Sequence, residues 1–88
     1  MEENLKKFNV IFKSSRGEER YLDTVYDLGH LNGGGFTNCY KVMMDYIKKI
    51  NPTYKVYYTR VWKQPDERYC VDVGSHTEFF YFEEVKEW

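Results

Sequence analysis

The 88 residues suffice for one domain and leave no room for two, so residues 1–88 are expected to share one core. Thirteen basic and fourteen acidic side chains give a net charge of −1, which excludes binding driven by a general attraction to phosphate and is too small for imitation of a nucleic acid. No apolar run approaches the roughly 18 residues a membrane span needs, and the polar, acidic start Met1-Glu2-Glu3-Asn4 is unlike a signal peptide, so the expectation is a soluble, cytoplasmic protein.

The first element in chain order is a hairpin. Phe8, Val10 and Phe12 alternate with Asn9, Ile11 and Lys13, and Leu22, Thr24, Tyr26 and Leu28 alternate with Tyr21, Asp23, Val25 and Asp27. Placing the two more apolar sets on one face needs an odd loop, with Phe12 opposite Leu22 and Arg16-Gly17-Glu18 as the turn. Tyr21, Leu22, Val25 and Leu28 also fit helical spacing, which makes a helix over 18–28 the rival reading.

A central helix follows. Thr37 can cap it with Phe36 as staple, and Cys39, Val42, Met43, Tyr46, Ile47 and Ile50 form a buried stripe opposite Lys41, Asp45, Lys48 and Lys49. Asn51, accepting a left-handed conformation, and Pro52 are expected to end it.

From Tyr54 to Val85 the pattern predicts three antiparallel strands. Taking Gln64-Pro65-Asp66-Glu67 as a four-residue loop pairs Lys63 with Arg68 and sets Trp62 opposite Tyr69, Arg60 opposite Val71 and Tyr58 opposite Val73. A second turn at Gly74-Ser75-His76-Thr77 places Phe80 beside Val71 and Phe82 beside Tyr69. The reverse side then carries Tyr57, Val61, Cys70, Phe79 and Tyr81 among Lys55, Lys63, Arg68 and Asp72. The predicted fold is two-layer α+β, order ββαβββ, an antiparallel sheet with one α-helix packed on one face. A single helix shelters one face, so the rings on the other are expected to meet a partner.

No motif for catalysis, metal or phosphate is present. Gly33, Gly34 and Gly35 lead into the helix start, where free amides could hold an anion or nucleotide, but there is no GxxxxGK[ST] or GxGxxG pattern and no Lys or Arg in the loop. His30, Cys39, Cys70 and His76 lack the close spacing of a zinc site, and Cys39 and Cys70 read as free thiols. Asp23 with Asp27, or Asp66 with Glu67, read as solvated carboxylates. Neither an enzyme activity nor a cofactor is expected. Tyr57, Phe79 and Tyr81 beside Lys55, Lys63 and Arg68 could stack single-stranded bases, but Asp72 and the tail Glu83-Glu84-Val85-Lys86-Glu87 oppose a phosphate backbone.

In size and composition, a compact α+β chain rich in Tyr, Lys and Asn, the protein is similar to small proteins of phages and other mobile elements, including anti-CRISPR-type inhibitors. That resemblance implies a non-catalytic inhibitor or regulator acting by steric contact on a larger macromolecule, a host nuclease or nucleoprotein complex. The contact residues expected are Tyr57, Val61, Asp72, Phe79, Tyr81, Glu83 and Glu84. A homodimer is the other use of the same face. Binding of an anionic ligand at Gly33–Gly35, or of single strands on the aromatic face, is the alternative.

Overall fold

The computed structural model describes residues 5–31, 33–56, 58–75 and 77–86. It runs β1 (Lys6–Lys13), β2 (Glu19–Asp27), α1 (Thr37–Ile50), β3 (Arg60–Lys63), β4 (Tyr69–Asp72) and β5 (Phe79–Glu84). The strands form one antiparallel sheet in the order β2-β1-β5-β4-β3, with α1 on one face, an α+β fold. Residues 19–27 are a strand, so the helical alternative for this stretch does not hold.

Alternation in the strands builds the core. Phe8, Val10 and Phe12 of β1, Val71 of β4, and Phe80 and Phe82 of β5 point toward α1 and are buried, where they meet Cys39, Met43 and Ile47 of the helix. Phe36, just before the helix, lies 5.2 Å from both the Phe8 and Phe82 rings and 4.8 Å from Tyr69, while Tyr40 and Tyr46 meet Phe82 and Phe80. The helix packs along β1 and β2, and the chain after it returns beside Val73, just past the end of β4. There Tyr54 and Val56 pack on the core, with the Tyr54 hydroxyl donating to the Val73 carbonyl at 2.7 Å.

Both tight hairpins use the same turn. Ser14 N–H donates to Glu18 O and Gly17 N–H to Ser14 O; likewise Gln64 N–H donates to Arg68 O and Glu67 N–H to Gln64 O. Each is a three-residue loop with its last residue left-handed, Gly17 at φ 86° and Glu67 at φ 71°. The expected four-residue loop at 64–67 is therefore one residue too long. Lys63 pairs with Tyr69, Trp62 with Cys70 and Val61 with Val71, so Val61 turns into the core and Trp62 turns out. The predicted β4–β5 register matches: Val71 pairs with Phe80 and Tyr69 with Phe82.

Glutamate is an unusual residue for a left-handed position, because its Cβ crowds the following carbonyl. Glu67→Gly is therefore expected to raise stability by about 0.5–1 kcal/mol, read as a higher urea midpoint. A fall would place the left-handed residue elsewhere and restore the longer loop.

The first hairpin shows a second phase change. Its turn is centred on Arg16, one residue earlier than expected, so Phe12 pairs with Arg20, and a bulge between Val10 and Ile11 then adds one residue to β2. Beyond the bulge the faces of β2 exchange. Val25 and Asp27 lie on the core side, and Tyr26, expected inside, is 53% exposed.

The helix termini also differ from expectation. Phe36 is the N-cap residue, and Thr37 Oγ1 donates to the Gly34 carbonyl and caps nothing. The free amides are instead taken by Asp27, which is 4% exposed: Asn38 N–H donates to its Oδ1 at 3.0 Å and Cys39 N–H to its Oδ2 at 2.7 Å. At the other end Asn51 is extended, at φ −150°, and donates its N–H to the Ile47 carbonyl. No helix among the described residues is long and apolar enough to cross a membrane.

Candidate interaction surface

The face of the sheet away from α1 is organised as a row. Register sets Tyr21 beside Ile11, Ile11 beside Tyr81, Tyr81 beside Cys70 and Cys70 beside Trp62, one residue from each strand in sheet order. Exposure along the row is uneven. Tyr21 at one end is 60% exposed and Trp62 at the other 39%, whereas Tyr81 in the middle is only 5% exposed.

Tyr81 is sheltered by its own chain. The Arg68 guanidinium lies 4.1 Å from its ring centroid and Lys13 Nζ lies 5.9 Å away. Arg68 is held over the ring by two carboxylates, with Nη1 3.0 Å from Glu19 Oε1 and Nε 3.1 Å from Asp66 Oδ2. Burial alone would lower the guanidinium pKa, but these two partners outweigh it and hold it above its ordinary value. Asp66 is held below the usual carboxylate range, first by the Arg68 backbone N–H and then by its side chain.

Next to the row lies a polar chain. The Tyr21 hydroxyl bonds Thr24 Oγ1, which donates to Asn9 Oδ1 at 2.7 Å, and Asn9 Nδ2 reaches Glu83 Oε1 at 3.4 Å. Arg60 pairs in register with Asp72 on the same face. Charges of both signs therefore surround the rings.

The expected contact residues are distributed as follows. Tyr81 is buried, so the expectation of an open ring there is corrected: Arg68 and Lys13 fill the space a partner would take. Phe79 is half-buried. Val61 is on the core side, for the register reason above. Asp72 accepts the Gly74 N–H at 2.9 Å and so belongs to the turn as well as to the face. Glu83 is on the outer face, but Glu84 pairs with Phe8 and belongs to the helix side. Tyr57 lies outside the described residues. Trp62 and Tyr26 are the exposed rings that sequence patterning placed on the core side, whereas Tyr21 falls on the outward side of the first hairpin as patterned but is not among the expected contact residues. The turn length after Gln64 decides the face of Trp62 and the bulge in β2 decides that of Tyr26, and no residue type in the sequence marks either.

The glycine loop has a structural role. Gly29 N–H donates to the Gly35 carbonyl at 2.7 Å, and a Cβ on Gly35 would overlap the His30 carbonyl oxygen. Gly33 and Gly34 are exposed, but Asp27 already occupies the amides of Asn38 and Cys39, so an anion at the helix start would meet a buried carboxylate. Both cysteines are free and buried. Burial raises each thiol pKa, and at Cys39 the Asp27 hydrogen bond and charge add to it, which makes both poor nucleophiles at neutral pH. Among the described residues no three His, Cys, Asp or Glu side chains are placed to share a metal ion. Comparisons with family models, with curated proteins and with solved structures find no match to this chain.

Proposed function

We propose that the chain is a small non-catalytic binding protein that acts by steric contact, docking a protein partner on the outer sheet face. The observation supporting this reading is the exposure of Trp62 and Tyr21 at the two ends of a row whose centre is already packed. Trp, Tyr and Arg at a rigid sheet surface are the residue types that anchor interfaces, because they offer large contact area with few rotors to freeze. The mixed charges of Lys13, Arg60, Glu19 and Glu83 suit a protein rim better than a phosphate backbone. In the form suggested by size and composition, the partner is a host nuclease or nucleoprotein complex and the chain is an inhibitor carried by a phage or other mobile element. That finer assignment rests on resemblance alone.

The test is capture from native lysate with three baits: the natural chain, Trp62→Ala with Tyr21→Ala, and Lys48→Glu on the solvated side of α1. The partner should be lost from the double variant and retained by the helix variant, with the double variant losing less than about 1 kcal/mol of stability per site. Retention by the double variant would refute the reading. A chain that sediments as a dimer, and as a monomer after Trp62→Ala, would assign the face to a second copy.

A further inference from the structure

On the opposite side of the molecule, a cleft of about 370 Å³ opens between the C-terminal end of α1 and the β4–β5 turn. Phe12, Ile47, Val73 and Phe80 form its floor, and Ile50, which ends the apolar stripe of the helix, is 49% exposed at its side. Asn51, Tyr54, Ser75 and Glu78 supply the polar rim. The volume falls in the range of small-ligand sites, which are mostly apolar with a few placed polar groups.

The charge of the lining selects the ligand. Glu78 is its one ionisable carboxylate, no Lys or Arg lines it, and among the described residues no cation pairs with Glu78. The negative end of the α1 dipole lies at the same place, since Ile50 and Asn51 close the helix there. Lys48 and Lys49 occupy the same turn but do not line the cleft, and Lys55 lines a neighbouring recess beyond Tyr54. We infer that the cleft takes a small ligand with an apolar body and an ammonium head, the body against Phe12, Ile47 and Phe80 and the head at Glu78. The site is independent of the outer sheet face and stands or falls separately from it.

The probes are n-hexylamine, 1-hexanol and hexanoate, titrated into the ¹⁵N-labelled chain at neutral pH. Saturable shifts are expected at Ile50, Val73 and Glu78 with the amine, with the alcohol weaker by about three- to tenfold and hexanoate weaker still. Glu78→Gln should reduce amine affinity to that of the alcohol and leave the alcohol unchanged, which separates loss of charge from loss of fold. Equal binding of hexanoate, amine shifts spread over other acidic surfaces, or no saturation at all would each overturn the assignment.

Discussion

Phe82→Ala is expected to cost about 3–5 kcal/mol, a large part of the 5–15 kcal/mol typical of a whole domain. Phe82 is fully buried, paired with Val10 on one side and Tyr69 on the other, with the rings of Phe36 and Tyr40 at 5.2 and 5.5 Å. Truncation leaves a cavity bounded by the sheet, the helix and the residue before it, which are tied to one another and cannot all collapse inward. The melting temperature should fall by about 12–40 °C, given about 4–8 °C per kcal/mol in a domain of this size. Phe79→Ala is the internal control. Phe79 lies on the outer face of the same strand and is half-buried, so its loss should cost about 1–2 kcal/mol. The reverse order would mean that β5 faces the other way.

Asp27→Ala should cost about 2–4 kcal/mol, although the side chain removed is small and polar. The carboxylate is 4% exposed and accepts from two helix amides, Asn38 N–H and Cys39 N–H. Its loss strands both donors at the dipole's positive end and removes two of the three hydrogen bonds that join β2 to the start of α1 among the described residues, leaving the one from Asn38 Nδ2 to the Tyr26 carbonyl. Asp27→Asn keeps the shape and one acceptor oxygen, and about half the loss is expected. Urea denaturation of the pair measures both. A loss below about 0.5 kcal/mol for the alanine variant would show that the helix start is satisfied without β2.

These two residues mark where sequence patterning succeeds and where it fails. Phe82 and Phe80 were assigned to the helix-covered face because period-two alternation in β5 agrees with a turn beginning at Gly74, and the observed register pairs them with Tyr69 and Val71 as expected. The helix was legible from its stripe and its solvated lysines, over the span observed. Asp27 was not, because one extra residue at the β2 bulge reverses every later side chain, and no glycine marks that bulge. Trp62 was misplaced for a related reason. A left-handed Glu67 carries no composition signal, so a three-residue loop reads as four and Trp62 and Val61 exchange faces. The sheltering of Tyr81 was also beyond reach, since it depends on Arg68 being held by Glu19, 49 residues away in sequence. The broad expectation of rings on an uncovered face survives with different residues, Trp62 and Tyr21 in place of Tyr81.

The most direct test of the docking surface is site-specific photo-cross-linking in the native cell, with benzoylphenylalanine at position 62 in one chain and at position 45, on the solvated side of α1, in another. A discrete covalent adduct with one other protein from position 62, and none from position 45, is the predicted result. Adducts of equal yield from both positions, or none from position 62, would contradict the assignment of the outer sheet face as the surface that meets the partner.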